Sequence, residues 1–365
     1  MIRRNLVIDT WISDLSYSGH IVLEHRKIAV NSQMSQWTFE MMRDAALLVL
    51  KINSICEKYG YELKDCHQAN ILFDGANPVW VDFGSIAKKT LKKWVAREGF
   101  LKCYYLPMKL WSKGYDGLIA SIYKSSCSIE VSELLAINYH LPLKIAKKGG
   151  KYLFNRFFLS SYFERKIRNI KIWQHSYWGS YQNSYWEMSN NGRFDYQINW
   201  IKNHCDNIKS MIEIGANQGV FSYLVAQETG IDKIIATDYD SLAVDVMYKK
   251  LKQTGVKKIS PLILDFVWAP IDLLKRYQSD LLVANALTHH LLLTQGMSMK
   301  AMLDRFEALT SKYIIVEFMP NGVSEICLPD WYTEEWFLKL LSERFEILDI
   351  NRSTKGRTMI IGLKR

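Results

Sequence analysis

The sequence predicts an α/β protein whose carboxyl-terminal part folds as a doubly wound, mostly parallel sheet of seven strands. Short apolar runs such as "MIEIG", "KIIAT" and "DLLVANA" alternate there with stretches of helical periodicity, which is typical of strands covered by helices on both faces. A glycine-containing loop, "GANQG", follows the first run directly. The last two runs, "FEILDINRS" and "RTMIIGLKR", adjoin each other without an intervening helix, and they therefore predict a closing antiparallel hairpin.

Length and composition indicate how the chain is organised. It has 365 residues, of which 48% are hydrophobic and 23% are charged, and this size and balance predict two globular domains rather than a single core or a disordered chain. We divide the sequence into residues 1–140, which mix helical and extended patterns, residues 141–205, which are aromatic and basic, and residues 206–365, which carry the sheet.

The elements of the carboxyl-terminal part follow from these runs in order. The predicted strands are "MIEIG", "KIIAT", "ISPLILD", "DLLVANA", "KYIIVEF", "FEILDINRS" and "RTMIIGLKR". The helices between them are predicted at residues 220–229, 242–254, about 299–310 and about 333–344. Each apolar run is too short for a helix and contains β-branched residues, which favours strands.

No segment predicts export or membrane insertion. The first ten residues, "MIRRNLVIDT", carry two arginines and are not followed by an apolar h-region, and no apolar stretch approaches the roughly 20 residues that span a bilayer. The six cysteines are scattered, without a CxxC pair or a histidine at zinc-ligand spacing, so reduced thiols and no metal site are expected. We expect a cytoplasmic protein, and the net charge of +10 favours an anionic partner.

The residues at the carboxyl ends of the strands are candidates for ligand binding, because a doubly wound sheet binds ligands outside those ends. Gly215 and Gly219 allow a tight turn and a close approach of the backbone to a ligand. Asp238 follows the second strand, where a carboxylate can accept hydrogen bonds from both hydroxyls of a ribose. Asp265 follows the third strand, where it can meet the exocyclic amine of a purine, and Asn285 ends the fourth. Together these groups predict a nucleoside-binding site.

The first of these strand ends resembles the cofactor motif of class I S-adenosylmethionine-dependent methyltransferases. That motif is an acidic residue followed by glycine or small residues at alternate positions, and this chain has Glu213, Gly215, Asn217 and Gly219. The resemblance implies a Rossmann-like methyltransferase sheet and S-adenosylmethionine as the cofactor, bound by these four residues together with the strand-end residues named above. The main competitor is a nicotinamide dinucleotide domain, but the loop departs from the G-x-G-x-x-G fingerprint of such domains.

Three side chains are candidates for catalysis. His289 and His290 follow the fourth strand, and one of them is expected to accept a proton from the methyl acceptor. Because neighbouring residues at a strand end point to opposite sides, we expect only one to reach the acceptor while the other packs against a helix. Glu317, at the end of the fifth strand, is the second choice for the same role. Structural roles stay open for Asp238 as a helix cap, for Asp265 as a turn residue and for either histidine as a core residue.

A second motif lies near the amino terminus. The segment "KDCHQANILFDGANPVWVDFGS", residues 64–85, resembles the catalytic loop of kinases and aminoglycoside phosphotransferases. Asp65, His67 and Asn70 match its D-x-H-x-x-N form, and Asp82 begins the DFG triplet. In those enzymes such residues accept the substrate proton and hold magnesium. The residues between the two motifs predict a β-hairpin that turns at "DG".

Residues 1–36 offer no room for the nucleotide-binding half of such an enzyme. They contain one glycine, Gly19, and no glycine-rich loop, and a predicted helix at residues 37–60 follows them. Residues 1–140 are therefore predicted to be a truncated, non-catalytic α+β domain similar to a kinase carboxyl-terminal lobe. Such a lobe ahead of a methyltransferase resembles the nodulation-protein type of methyltransferase found with bacterial polysaccharide and secondary-metabolite genes, which implies a glycan or other small-molecule acceptor.

The segment between the domains is strongly basic. Residues 141–175 carry nine basic residues and one acidic residue, interleaved with aromatic residues. Such a segment can stack on unpaired bases, lie at a lipid interface or hold sugar rings. It can also pack as a linker helix with solvated lysines. We expect an anionic partner here, a lipid surface or RNA, and a position at the inner face of the membrane. Residues 173–182, "WQHSYWGSYQ", are expected to fold over the cofactor as part of the substrate pocket.

Two alternatives to a glycan or small-molecule methyltransferase stay open. The positive charge favours a nucleic-acid methyltransferase, although the loop "NALTHH" lacks the Asn/Asp-Pro-Pro-Tyr/Phe tetrapeptide of the enzymes that methylate base amines. RNA ribose methylation is therefore the open form of this alternative. The other is a non-enzymatic module that binds the cofactor and a partner. The sequence carries no signal for the oligomeric state.

Overall fold

The computed structural model describes residues 1–124, 130–140, 142–145, 160–172, 176, 178, 192–324 and 326–365. The chain divides into two compact units, residues 1–175 and 176–365. About half of the predicted connecting segment at residues 141–205, and most of the predicted pocket stretch at residues 173–182, lie outside the described residues. None of the helices in the described parts combines the length and the apolar character that crossing a bilayer requires.

The first unit is a small mixture of helices and paired strands. Its strands are β1 (Thr10–Tyr17), β2 (His20–His25), β3 (Tyr61–Leu63), β4 (Ile71–Asp74), β5 (Asn77–Trp80) and β6 (Ile86–Lys88). Its helices are α1 (Phe39–Lys58), α2 (Arg97–Phe100), α3 (Leu106–Trp111), α4 (Asp116–Lys124), α5 (Val131–Tyr139) and α6 (Ser160–Arg168). The strands form three antiparallel pairs, β1 with β2, β3 with β6 and β4 with β5.

Helix α1 forms the centre of the first unit, and the prediction of a helix at residues 37–60 is confirmed. The Thr38 side chain accepts a hydrogen bond from the Met41 amide at 3.2 Å, which satisfies one of the free amides at the start of the helix. Eleven of the helix residues are buried, so most of its circumference packs inside the unit. The buried ring of Trp37, just before the helix, meets Phe73 edge-on with centroids 5.1 Å apart.

The segment that resembles a kinase catalytic loop forms the predicted hairpin. β4 and β5 pair across a two-residue turn at Gly75 and Ala76, with Asp74 opposite Asn77, so the turn lies one residue later than the predicted "DG". Just before it, Asp65 Oδ1 accepts a hydrogen bond from the His67 amide at 2.9 Å, and Asp65 Oδ2 accepts one from Asn70 Nδ2 at 3.2 Å. The three polar residues of the motif are therefore held together by local hydrogen bonds.

The chain ahead of α1 contains a single hairpin. β1 and β2 are its only strands within residues 1–36, and their pairing shifts register between Ile12 and Ser16. In the described parts of the chain, no group of three His, Cys, Asp or Glu side chains could hold a metal ion. The likeness of this unit to a kinase lobe stays a prediction.

The second unit is a seven-stranded sheet covered by helices. Its strands are β7 (Ser210–Ile214), β8 (Lys233–Asp238), β9 (Ile259–Ile263), β10 (Ser279–Ala284), β11 (Thr310–Phe318), β12 (Phe345–Asn351) and β13 (Thr358–Lys364). Its helices are α7 (Asp195–His204), α8 (Val220–Glu228), α9 (Ser241–Thr254), α10 (Ile271–Lys275), α11 (Met299–Leu309) and α12 (Glu334–Ser342).

The order of the strands is β12-β13-β11-β10-β7-β8-β9. The pairs among β7 to β11 are parallel, whereas β13 runs antiparallel to both β11 and β12. The predicted doubly wound sheet with a closing antiparallel hairpin is confirmed. The chain runs outward from β7 to β9 and then crosses back to β10, so the strand order reverses between β7 and β10, where such sheets open a crevice for ligands.

The central strands are apolar throughout because helices cover both of their faces. Met211 and Ile212 of β7, like Leu282 and Val283 of β10, are fully buried. A strand with only one covered face would alternate apolar and polar residues instead. The central pair therefore anchors the sheet at the point where the crevice opens.

Two helices of the second unit were not predicted. Helix α7 falls within the segment that we assigned to a connection, and α10 has only five residues, which is less than the span over which helical periodicity can be recognised. The four helices predicted after the first strand are all present, with ends that differ from the prediction by at most a few residues.

Candidate functional site

The glycine loop after β7 has positive φ angles at three of its residues. Gly215, Asn217 and Gly219 adopt φ angles of 68°, 51° and 77°, in the left-handed region that favours glycine and tolerates asparagine. A Cβ at Gly219 would lie 2.7 Å from Cγ of Met247, and one at Gly215 would lie 3.1 Å from Cδ1 of Leu287. Asparagine at position 217 is thus compatible with the loop. Conformation favours glycine at both other positions, and at Gly219 the close approach of Met247 also leaves little room for a Cβ.

Glu213 joins the first strand to the helix that follows the loop. It is buried, and its Oε2 accepts hydrogen bonds from the Ser222 amide at 3.2 Å and from the Ser222 hydroxyl at 2.5 Å. Burial raises the pKa of Glu213 to about 7, against the opposing effect of the Ser222 hydrogen bonds. The acidic residue of the motif therefore fixes the shape of the loop from beneath it.

Asp238 ends β8 and contacts the same loop. Its Oδ2 accepts a hydrogen bond from the Asn217 amide at 2.8 Å, and its Oδ1 accepts one from the Asp240 amide at 2.9 Å. The cap of helix α9 is Asp240, whose Oδ1 accepts hydrogen bonds from the Leu242 and Ala243 amides, so the alternative interpretation of Asp238 as a helix cap is wrong. Burial raises the pKa of Asp238 to about 6.

Asp265 lies just after β9, beside the end of β8. Its Oδ1 accepts hydrogen bonds from the Val267 amide at 3.1 Å and from the Trp268 amide at 3.2 Å. This is the local turn that a residue of this type commonly forms, and it engages one oxygen of a half-buried carboxylate. The turn positions Asp265 without occupying its second oxygen.

Asn285, at the end of β10, is held by a residue that the sequence did not indicate. Its Oδ1 accepts a hydrogen bond from Gln197 Nε2 of α7 at 2.6 Å. Its Nδ2 is buried and has no hydrogen-bond partner among the described residues. A buried amide donor left in this way is uncommon and costly, which indicates that a ligand group completes the site.

His289 and His290 lie side by side, with ring centroids 4.1 Å apart and planes inclined by 39°. The expectation that they point to opposite sides of a strand is wrong, because the chain has already turned into a helix at this point, ending in a π-helical stretch at His290–Thr294, and successive residues of a helix are about 100° apart. His289 is buried and His290 is half-buried. Burial lowers the pKa of both, and that of His289 to about 3, with further lowering by His290 and Arg357.

Trp178 lies at this group of residues although it precedes the sheet in the chain. Asn217 Nδ2 donates a hydrogen bond to the Trp178 carbonyl at 3.0 Å, and the indole ring meets the ring of His290. Nearby, the hydroxyl of Ser176 donates to Asp240 Oδ2. These are the two described residues of the stretch at 173–182 that we expected to close the pocket, and the rest of that stretch lies outside the described residues.

The strand order, the glycine loop and the polar strand ends agree with one match to a known family. Residues 195–306 match the family model of ribosomal protein L11 methyltransferase (PrmA). Over this range the second unit is similar to class I methyltransferases. The matched range begins at α7, so the family model includes the helix that supplies Gln197.

Individual proteins are similar over longer stretches at low identity. Nodulation protein NoeA of Rhizobium meliloti (strain 1021) is 24% identical over 379 aligned positions, which cover 90% of this chain and 78% of that protein. A SAM-dependent methyltransferase of Aquifex aeolicus is 13% identical with a TM-score of 0.39, covering 50% of this chain and 98% of its own. Magnesium protoporphyrin IX methyltransferase of Synechocystis PCC 6803, with bound SAH, is 14% identical with a TM-score of 0.38, covering 60% and 100%.

The residues at the strand ends of the second unit fit S-adenosylmethionine. Asn217 Oδ1 and Asn285 Nδ2 are buried without hydrogen-bond partners in the described part of the chain. The positive φ angles of Gly215 and Gly219 let the backbone turn tightly directly after β7. Together with the match to a methyltransferase family, these groups support S-adenosylmethionine as the cofactor.

Glu317, the second choice for a catalytic base, is already ion-paired. Arg357 Nη1 lies 2.7 Å from its Oε1, and Arg193 Nη2 lies 3.8 Å from its Oε2. Its main-chain carbonyl accepts a hydrogen bond from Thr288 Oγ1 at 2.8 Å, which ties the end of β11 to the turn that carries the histidines. The sequence did not indicate the two arginines, because neither follows the carboxyl end of a predicted parallel strand: Arg193 precedes the sheet and Arg357 directly precedes β13.

Proposed function

We propose that the second unit transfers the methyl group of S-adenosylmethionine to an oxygen or nitrogen atom of an acceptor. The observation that supports this most is the meeting of the glycine loop, Asp238, Asn285 and the histidine pair at the crevice where the strand order reverses. S-adenosylmethionine supplies a methyl group made electrophilic by the positive charge on its sulfur. The protein must then hold the acceptor in line with that group, and positioning of this kind contributes much of the rate.

Five residues are assigned to holding the cofactor directly. The loop residues Gly215, Asn217 and Gly219 offer backbone groups at its centre, and Asp238 offers a carboxylate for hydroxyl groups. Asn285 offers its buried amide, whose donor lacks a partner within the described residues.

Two further residues act at the margin of the cofactor site. Asp265 follows the carboxyl end of β9, and we assign the oxygen that its turn does not use to the base of the nucleoside. Glu213 acts by shaping the loop, because its carboxylate is engaged by Ser222.

We assign proton acceptance to His290. It is half-buried, while His289 is buried and its pKa is lowered to about 3, which makes the His289 ring a poor base near neutral pH. Glu317 is engaged by two arginines and is not assigned this role. An acceptor hydroxyl that loses its proton to the imidazole of His290 becomes a better nucleophile as the new bond to carbon forms.

The acceptor that we favour is a hydroxyl group of a glycan or a related small molecule. The support is the similarity to a relative that is named a nodulation protein, together with the ring of Trp178 next to His290, since aromatic side chains can stack on the apolar face of a sugar. RNA ribose methylation is the second candidate, favoured by the net charge of +10. We further propose that the protein is cytoplasmic and that the first unit does not transfer phosphate.

A methyl-transfer assay tests the proposal. Radiolabelled S-adenosylmethionine is incubated with the full chain and either bacterial surface-polysaccharide precursors or RNA, and label in each acceptor is counted. His290→Gln should lower turnover by about 10²–10⁴-fold and leave cofactor affinity unchanged. The matched control is His204→Gln, at a half-buried histidine on α7, which should keep wild-type turnover. Tight binding of NAD, or no affinity for S-adenosylmethionine, would refute the proposal.

A further inference from the structure

A cavity of about 460 Å³ opens in the first unit between α3 and the end of α6. Its volume lies within the range of about 300–1,000 Å³ that is typical of small-molecule sites. None of the described residues that line it is acidic, and four of them are cationic: Lys109, Arg165, Lys166 and Lys171. The cavity belongs to this unit alone and is separate from the methyltransferase site.

The positive charge of the cavity is not neutralised within the described part of the chain. None of the four cations forms an ion pair there, and Glu164, the acidic residue of α6, is instead paired with Arg168 at 2.8 Å. Lys109 is held in place by a neutral group, because its Nζ lies 3.1 Å from the Tyr139 hydroxyl and 4.5 Å from the centre of that ring. The aromatic ring orients the ammonium group and leaves its charge in the cavity.

The wall of the cavity adds a neutral donor and a low-dielectric surface. Tyr105 is 8% exposed, and burial raises its pKa to about 12, so its hydroxyl carries a proton at neutral pH. That hydroxyl has no hydrogen-bond partner among the described residues. Cationic side chains that line the same concave, partly apolar cavity repel each other and produce a positive electrostatic potential inside the cavity.

Phosphate is the chemical group that best matches these donors. It offers several oxygens to several cations at once, and hydrogen bonds between charged partners are about twice as strong as neutral ones. A guanidinium such as that of Arg165 can bind two phosphate oxygens together. If these cations only kept the surface solvated, they would have no reason to line the same cavity.

We propose that this cavity binds a phosphate-bearing anion with at least two negative charges, either a soluble phosphate or a lipid phosphate headgroup. The site lies in the first unit, whose residues 1–36 form a single hairpin and no nucleotide-binding lobe. The proposal does not depend on methyl transfer by the second unit. It also gives a specific location to the anionic partner that the basic segment at residues 141–175 predicts.

Calorimetric titration of the full chain with inorganic pyrophosphate at physiological ionic strength is the first test. Arg165→Gln/Lys166→Gln removes two charges from the cavity, and Lys92→Gln/Lys93→Gln removes two charges from exposed positions of the same unit. Wild type and the second variant should bind equally, while the first should bind about tenfold or more weakly. Circular dichroism should show the same fold for all three, because all four side chains are exposed.

Sedimentation with vesicles separates the two sources of phosphate. Vesicles of phosphatidylcholine alone are compared with vesicles that also contain phosphatidic acid. Retention that needs phosphatidic acid and is lost only in the cavity variant identifies a lipid headgroup, whereas cavity-dependent binding of pyrophosphate without retention identifies a soluble phosphate. The proposal is overturned if wild type binds neither probe, or if both double variants lose binding equally.

Discussion

The indole ring of Trp178 lies beside the imidazole ring of His290, with centroids 5.4 Å apart and planes inclined by 72°. The Trp178 carbonyl also accepts a hydrogen bond from the side chain of Asn217 in the glycine loop. A residue that precedes the sheet thus contacts both the proposed base and the loop assigned to the cofactor. This arrangement places an aromatic ring next to the proposed base.

Trp178→Ala should raise the pKa of His290 toward its ordinary value. Burial is the cause of the lowered pKa, and loss of the indole exposes the imidazole to water, which stabilises its charged form. Titration of the His290 ring protons by nuclear magnetic resonance measures the change. Trp178→Phe, which keeps an aromatic ring, should leave the pKa near that of the wild type, and an equal shift in both variants would contradict the role of the ring.

Asp238→Ala should weaken binding of S-adenosylmethionine by on the order of 1–3 kcal/mol. The carboxylate is lost both as an acceptor for the ligand and as the partner of the Asn217 amide, so the loop is no longer fixed. Calorimetry on the purified variant gives the affinity. Asp232→Ala, directly before β8 and so at the opposite end of that strand from Asp238, should bind the cofactor as the wild type does.

Cofactor affinity should also fall as the pH is lowered through about 6. The folded-state pKa of Asp238 is raised to about 6, so its carboxylate becomes protonated below that value and loses strength as an acceptor for hydroxyl groups. In Asp238→Asn this dependence should disappear. Affinity that stays constant between pH 7 and 5 in the wild type would show that the ionised carboxylate is not needed.

Gly219→Ala should lower the free energy of unfolding by about 1–3 kcal/mol, because a side chain is strained in the left-handed region and the new Cβ meets another group. Gly219 has a φ of 77°, and its Cβ would lie 2.7 Å from Cγ of Met247. Urea denaturation measures the loss. Gly230→Ala is the control, since its Cβ would meet nothing within 4 Å, and similar losses in both variants would argue against a strained loop.

The buried His289 should make the protein less stable at acidic pH. Its pKa falls from the ordinary 6.5 to about 3 on folding, so between those values the unfolded chain binds a proton that the folded chain does not. The free energy of unfolding therefore decreases as the pH falls through this window, by up to about 1.4 kcal/mol per pH unit. His289→Gln should lose less stability than the wild type over the same window, as measured by urea denaturation at several pH values.

Glu213 and Asp238 act in the opposite direction on stability, because their pKa values are raised on folding. The folded chain binds their protons first, so their contribution rises as the pH falls below about 7. Both the wild type and His289→Gln retain these carboxyl groups, and the difference between the two proteins therefore isolates the histidine. Parallel pH profiles would show that His289 is not the group responsible.

Asp82→Asn should leave methyl transfer and cofactor affinity close to wild-type values. The Asp82 carbonyl accepts hydrogen bonds from Trp80 Nε1 at 2.6 Å and from Ser85 Oγ at 2.8 Å, so the structural contacts of this residue are made by its main chain and survive the substitution. Turnover and magnesium-dependent ATP hydrolysis are measured together. Hydrolysis by the wild type that is lost in Asp82→Asn would show that the first unit transfers phosphate.

The sequence by itself determined the sheet, its closing hairpin and the positions of the glycine loop and of Asp238. These features follow from local sequence patterns. The period of the apolar residues distinguishes strand from helix, and glycine indicates backbone conformations that other residues avoid. Local patterns were also ambiguous where two neighbouring acids compete for one role. Asp240, and not Asp238, caps helix α9, and only the backbone geometry distinguishes them.

Tertiary structure alone decided which distant side chains complete the site. Gln197 reaches Asn285 across 88 residues of sequence, and Arg357 reaches Glu317 across 40. No periodic sequence pattern predicts such a contact, because it forms only after the strands between the two residues have taken their places in the sheet. The orientation of His290 toward Trp178 was set in the same way, by a helical turn that replaces the predicted strand end and brings the ring to a residue more than a hundred positions earlier in the chain.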